Sequence, residues 1–510
     1  MQEVRKVFLL MYVSTRGGTA GLSAAEAIQA GIAKDGGLFV PKDLPQISCE
    51  ILQDLIHANY QERALKILQV FLPDYSQAEL IDCIQTAYGG GKFDCREVAP
   101  LVAVGDGKYV LELWHGPTSA FKDMALQLLP RLLSKALTKT RVSNHIVILV
   151  ATSGDTGKAA LEGFKDVPQT RIIVFYPYQG VSEIQRLQMV SQKGNNVSVV
   201  AVKGNFDDAQ TGVKSIFNQS AFNAELDRQG YQLSSANSIN WGRLVPQIVY
   251  YFSAYADMVQ GGYQTMGQPV NFVVPTGNFG NILAGYYAKR MGLPIHRLIC
   301  ASNSNNVLTD FLHTGVYDRR RDFFKTISPS MDILISSNLE RLLYHITEQN
   351  AKQVAEWMEQ LMKTGTFSIG SRYSSVLSGI FWADWVSDSQ TMETIKETHE
   401  TYGYVVDPHT AVAWRVHDRY KQQTGDKLPG IIVSTASPFK FNSSVLQSIQ
   451  DAADLSEQNE ISLLQAVSRV SGLKVPKALA ELEHAPIRHR TVCAKEEMEA
   501  VVRKILAVKE

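Results

Sequence analysis

At 510 residues the chain has room for about three domains of ~150 residues and for a large core, which excludes a disulfide-stapled miniprotein. Its 45% hydrophobic and 20% charged residues, with 36 Gly and 18 Pro, are those of a globular protein and exclude long disorder. Fifty Lys+Arg balance 50 Asp+Glu, so no basic excess points to nucleic acid or to an anionic membrane; a small neutral or locally steered ligand fits better.

Along the chain, Arg5-Lys6 precede the apolar run Val7–Val13, which is short for a signal sequence and lacks an A-x-A cleavage site, so it predicts a buried first strand. AAEAIQAGIAK (24–34) and YQERALKILQVFL (60–72) predict amphipathic helices, and Gly89-Gly90-Gly91 is a flexible break. An N-terminal, mostly helical domain is therefore expected over 1–95. Next come short apolar runs rich in β-branched residues, each ending in small polar residues before a helical pattern: HIVILVATSGDTG (145–157), RIIVFYPYQG (171–180), VSVVAVKGN (197–205), VNFVVPTGNFGN (270–281), HRLICASNSNN (296–306) and LPGIIVSTASPF (428–439). Nearly continuous rather than alternating hydrophobicity predicts parallel strands covered on both faces, hence an α/β core of two lobes over 96–450. Ligands collect at the carboxyl ends of such strands, where these small polar clusters fall.

From about 340 to 400 the pattern is helical again, and ISLLQAVSRVSG and KEEMEAVVRKILAV predict a tail of surface helices over 451–510. No stretch approaches the roughly 18 apolar residues needed to span a bilayer. The five cysteines, Cys49, Cys83, Cys95, Cys300 and Cys493, are scattered and never spaced C-x-x-C. They suggest neither a disulfide framework nor a metal site, and fit a reducing cytoplasm.

SGDTGK (153–158) and GGGK (89–92) are not Walker loops, because the required upstream glycine is Thr152 or Thr86 and no Ser/Thr follows the lysine. Neither H-E-x-x-H nor G-x-S-x-G occurs. The informative segment is YVLELWHGPTSAFKDMALQLLPRLL (109–133), which places Lys122 in the first turn of a helix beside Phe121. The helix field and the apolar neighbour depress a lysine's pKa there and make it a usable amine nucleophile. Taken alone, a solvated surface lysine beside Asp123 is the simpler reading. TGNFGN (276–281) and ATSGDTGKAALEGF (151–164) reverse that preference, since each is a strand-to-helix turn able to cradle an anion on free N–H groups. Two anion loops and one activated lysine describe a pyridoxal phosphate enzyme acting on an amino acid.

At this point the sequence resembles the threonine synthases, of the fungal and bacterial subclass, within the tryptophan-synthase-β-like (fold type II) pyridoxal phosphate enzymes. The motifs are YVSTRGGTAGLSAAEAIQAGIAKDGGLFVP (12–41), HGPTSAFKD (115–123), SGDTG (153–157), NSINWGRLVPQ (237–247), PTGNFGNILAG (275–285) and STASPFKF (434–441). The resemblance implies that members begin near Met11, which makes residues 1–10 an extension. It implies that Lys122, with Phe121 beside it, forms the Schiff base with pyridoxal 5'-phosphate. Gly277, Asn278, Phe279, Gly280 and Asn281 hold the cofactor phosphate, and Thr435 either meets the pyridine nitrogen or caps the helix before Pro438. Ser153, Gly154, Asp155 and Thr156 take the substrate carboxylate. Asn240 and Arg243 are the candidates for the substrate phosphate, although Arg243 could equally cap or pair on a helix surface.

Many fold type II relatives carry S-G-N where this chain has Ser153-Gly154-Asp155; an ionised Asp155 facing the ring would be repulsive, so it is expected to brace the loop. His115 is expected to be a loop hydrogen-bonder. The implied reaction converts O-phospho-L-homoserine and water to L-threonine and phosphate, in a cytoplasmic monomer or homodimer. The alternatives are a phospholyase releasing a 2-oxo acid, ammonia and phosphate, and a catalytically silent binding protein, against which the intact Lys122, TGNFGN and Thr435 argue.

Overall fold

The computed structural model describes residues 10–178, 181–450 and 459–508. Val7–Leu9 of the expected first strand and the start of the expected tail at 451–458 lie outside them. Within the described part, the first strand is Tyr12–Ser14, which joins Ala20–Leu22 and Phe39–Pro41 in a small antiparallel sheet. The expected helices follow as Ala24–Ala30 and Tyr60–Phe71. Each starts at a capping box, Ser23 with Glu26 and Asn59 with Glu62, which satisfies N–H groups the first turn leaves free. Ala24–Ala30 stops where Gly31 takes φ of 72°, a left-handed conformation suited to glycine.

Two larger sheets form the core. One has five parallel strands in the order Thr491–Ala494, Val197–Lys203, Thr170–Pro177, His145–Ala151, Tyr231–Ser234. The other has six, in the order Phe381–Trp385, Ile295–Ser302, Val270–Pro275, Gly430–Ser434, Lys108–Glu112, Leu101–Gly105, and only its last pair is antiparallel. The apolar runs behave as their composition requires: from Ile146 to Val150 no residue exceeds 1% exposure, because helices cover both faces.

The helix Trp241–Gln260 packs against Cys49–His57, Tyr60–Phe71 and Gly280–Arg290 and is buried along almost its whole length. The Trp241 ring meets Tyr12, Phe71 and Tyr287 at 5.4–5.6 Å, which fastens the N-terminal segment to the core through aromatic burial.

Two expectations need correction. The C-terminal segment is not only surface helices: Thr491–Ala494 adds an edge strand to the five-stranded sheet, and Met498–Leu506 buries Met498, Val502 and Leu506 against it. The helical stretch 340–400 is interrupted by Thr366–Ser368 and by Phe381–Trp385, the outer strand of the six-stranded sheet. Both edge strands are too short for periodicity to reveal, and they become strands because a neighbouring strand offers unpaired backbone groups. Among the described residues no helix is long and apolar enough to cross a membrane.

Candidate active site

The loops that follow Lys108–Glu112, His145–Ala151, Val270–Pro275 and Gly430–Ser434 converge at the carboxyl ends of their strands. Ser119 (φ 59°) turns the first of these, and a bridge between Ala120 and Ala436 joins it to the loop after Gly430–Ser434. Phe121 N–H donates to Thr435 O at 2.8 Å, so the residue preceding the lysine is fixed by the strand end opposite it. Asp123 accepts from Thr118 N–H (2.7 Å) and Thr118 Oγ1 (2.8 Å), and burial pushes its carboxyl up to about 7.

Lys122 is buried, which corrects the surface-lysine alternative. It opens a helix of only five residues, Lys122–Leu126. Burial is the main cause that brings its ammonium down to about 8, against the attraction of Asp155 and with help from the positive charges of Lys440 and Arg243. Its Nζ donates to Ser330 Oγ at 3.1 Å and lies 3.7 Å from Asp155 Oδ2. Phe121, half-buried, sets its ring 5.7 Å from Nζ.

The 276–281 turn is built to receive an anion. Among the described residues, no backbone N–H from Gly277 through Ile282 meets a protein acceptor. The helix Gly280–Arg290 that follows has no side-chain cap, with Phe279 in the left-handed region at φ 62°. Gly277 packs so closely that a Cβ there would stand 2.7 Å from Ser330 O. Ser336 Oγ donates to Gly277 O, and Asn338 N–H and Nδ2 donate to Asn278 O, so the carbonyls are tied back while the amides stay free. Asn281 Oδ1 accepts from Tyr250 and Tyr251 hydroxyls at 2.7 and 2.8 Å, and its buried Nδ2 has no partner among the described residues. Free amides, an orphaned amide nitrogen and a nearby amine of lowered pKa fit the phosphate and aldehyde of pyridoxal phosphate.

The 152–157 turn has the same construction with a charge inside it. Thr152 Oγ1 accepts from Gly154 and Gly157 N–H groups, and Gly154, at φ 142°, packs so tightly on Gln185 that a Cβ would meet its amide at 2.4 Å. Ser153 and Thr156 are half-buried and make no side-chain hydrogen bond within the described residues. Asp155 is buried; desolvation disfavours its charge, yet Lys440 and Lys122 outweigh that and hold its carboxyl well below the usual range. Lys440 reaches it at 2.7 Å and Gln185 Nε2 at 2.9 Å. Asp155 thus braces the loop and also faces the lysine.

Thr435 is buried at the end of Gly430–Ser434, and the cap of the short helix Pro438–Phe441 is Ser437, which removes the capping alternative for Thr435. Asn240 caps Trp241–Gln260 through Gly242 N–H, and its Nδ2 donates to Ile28 O at 3.0 Å, so both ends of its amide are engaged by the protein. Arg243, expected either in the phosphate site or on a helix surface, is buried, donates to Ala236 O, and has no ion-pair partner among the described residues; burial alone brings it down to about 10. His115 is held by Asp94 (2.6 Å) and Glu112 (2.8 Å) and stacks on Trp114. Burial pulls its pKa down, but the two carboxylates prevail and raise it to about 9.

Sequence reasoning missed Ser330 and Lys440. Lys440 carried a signal, a lysine between Phe439 and Phe441 directly after a strand end. Ser330 carried none, because 208 residues separate it from the lysine it contacts.

The fold and this site define a pyridoxal-phosphate-dependent enzyme, and the model of that family, "Pyridoxal-phosphate dependent enzyme", matches residues 96–376. "Threonine synthase N terminus" matches 11–88 and "Threonine synthase, C-terminal" matches 410–505. The chain is 44% identical to human threonine synthase-like 1 over 86% of its own length and 59% of that protein's, so it spans about three fifths of that relative. It is 40% identical to the threonine synthase of Pseudomonas aeruginosa, covering 86% of this chain and 90% of that one. The crystal structure of pyridoxal-phosphate-bound threonine synthase from Brucella melitensis superposes with a TM-score of 0.85 at 37% identity, over 97% of this chain and 99% of the other. The chain belongs to the threonine synthase family.

Proposed function

We propose that the protein converts O-phospho-L-homoserine and water to L-threonine and phosphate, as a cytoplasmic monomer or homodimer. The observation that carries this reading is a buried lysine of lowered pKa placed between two anion-receptive turns, with a buried arginine that has no ion-pair partner among the described residues near enough to act on its charge. Lys122, Phe121, Gly277 to Asn281 and Thr435 are the residues that hold the cofactor. When bound, pyridoxal phosphate supplies the electron sink that lets protons leave carbons near the substrate's amino group.

The chain's own residues do the rest. Lys122 Nζ, neutral in part near pH 8, accepts and returns protons. Ser153 and Thr156, whose hydroxyls are uncommitted, bind the substrate carboxylate together with the N–H groups at the start of Asp155–Phe164. Arg243 takes the phosphate dianion: a guanidinium binds two oxygens at once, and one buried without a carboxylate is satisfied only when an anion arrives. Asn240 orients the helix start that carries it. Loss of the phosphate and addition of one water at the neighbouring carbon complete the reaction.

A second reading, elimination with release of a 2-oxo acid and ammonia, uses the same lysine and the same two turns. Incubation with O-phospho-L-homoserine followed by chromatography separates the two: threonine with equimolar phosphate is expected, and a 2-oxo acid in its place overturns the first reading.

A further inference from the structure

Lys440 has no solvent exposure, and its ammonium bridges three loops. It donates to Thr118 O at 3.0 Å in the loop ahead of Lys122, and it pairs with Asp155 Oδ1 at 2.7 Å, linking a strand-end segment of the six-stranded sheet to one of the five-stranded sheet. Its own element, Pro438–Phe441, follows the strand end that carries Thr435. Asp155 has one more partner on that oxygen, Gln185 Nε2. The other oxygen stands 3.7 Å from Lys122 Nζ, too long for a hydrogen bond, while the lysine donates instead to Ser330 Oγ, whose backbone N–H is fixed on His409.

We propose that Lys440 is a positioning residue: its ammonium clasps Asp155, holds that carboxylate off Lys122, and so keeps Lys122 available as a free amine for the cofactor's aldehyde. The physical reason is that a buried carboxylate must find a cation. Two lysines compete for Asp155, and the fully buried one holds it more closely. The charges acting on Lys122 are Asp155, Lys440 and Arg243; Lys440 also acts on Asp123. Removing Lys440 takes away one repelling charge and leaves Asp155 with Lys122 as its only lysine partner, and both changes favour the protonated, unreactive amine.

The inference rests on Lys122 being the residue that captures the cofactor, and the test separates the two. Cofactor-free protein is mixed with pyridoxal phosphate across a pH series; the neutral amine condenses with the aldehyde, forming C=N and releasing water, and the rate is followed by absorbance. Lys440→Met is expected to move the pH midpoint of capture upward by on the order of one unit and to slow capture about tenfold below it. Lys440→Arg returns the midpoint most of the way, and Lys440→Met/Asp155→Asn brings it back to the wild-type value or lower, since the attracting carboxylate is gone. An unchanged midpoint in folded Lys440→Met overturns the proposal. If Lys440→Met does not fold, restored folding in the double variant supports the charge clasp, and a double variant folded no better overturns it. Lys122→Ala is the control: absence of capture upholds the Lys122 reading independently of Lys440, and undiminished capture there overturns that reading and this inference together.

Discussion

The turns at 152–157 and 276–281 share one construction, a buried parallel strand running into a glycine turn and a helix, yet they do different things. The 276–281 turn offers amides alone, with its carbonyls tied back by Ser336 and Asn338. It is receptive to an anion at any pH at which the protein folds. The 152–157 turn contains an ionised Asp155 and becomes compatible with an anion only because Lys440, Gln185 and Lys122 compensate that charge. Identical backbone grammar therefore yields a fixed receptor in one case and a charge-balanced one in the other, and the difference lies in residues brought from elsewhere in the chain.

The strongest way to break this comparison is to remove the amine that both turns serve. Lys122→Ala is expected to lower turnover of O-phospho-L-homoserine by roughly a thousandfold or more, measured by phosphate release, with the fold intact by circular dichroism. Next comes Arg243→Ala, which is expected to lower kcat/KM by about 2 kcal/mol in transition-state terms, roughly thirtyfold, with Arg243→Lys recovering part of it. Arg341 sharpens the point. It is equally buried and likewise brought down to about 10 by burial, but it donates to Phe39 O, Asn338 Oδ1, Ser238 O and Ile239 O, so Arg341→Ala is expected to lower the melting temperature instead. Near-normal kcat/KM in Arg243→Ala would make that arginine structural as well.

Gly277→Ala tests the amide turn itself. A Cβ 2.7 Å from a backbone carbonyl forces the turn open, and an overpacking cost of about 1–3 kcal/mol predicts pyridoxal phosphate affinity lower by roughly five- to 150-fold in equilibrium titration. The smallest effect lies outside both turns. His115 has a folded-state pKa of about 9, above its unfolded value near 6.5. The stability it contributes is fully present below about pH 6.5 and is lost as pH rises through about 9. His115→Gln is expected to cost on the order of 2 kcal/mol in denaturant melts at pH 6 and much less at pH 10. Equal losses at both pH values would show that the Asp94 and Glu112 contacts do not depend on the imidazolium charge.

Much of this site was legible residue by residue. Each of the six apolar runs contains a strand, because β-branched continuity is a local property that burial rewards wherever the strand is placed in a sheet. Lys122 and the glycine turns were readable because each lies between a strand and the helix that follows it, whereas Thr435 was picked out only through the family resemblance. The edge strands Phe381–Trp385 and Thr491–Ala494 were not, since a short edge strand draws its order from its neighbour. The depressed pKa of Lys122 was anticipated from the helix field and Phe121, but the helix is a single short turn, and burial together with Lys440 and Arg243 accounts for the shift.

By itself, then, the sequence determined the buried strands of the six apolar runs, the glycine turns that follow them and the lysine singled out at the start of a helix, because those follow from spacing and side-chain type over a dozen residues. Only the tertiary structure decided who partners whom: Ser330 with Lys122, Lys440 with Asp155, and Arg243 with no acid among the described residues. Ionisation depends on desolvation and on charges acting through space, and both are set by chain segments hundreds of residues apart that meet only when the two sheets close on each other.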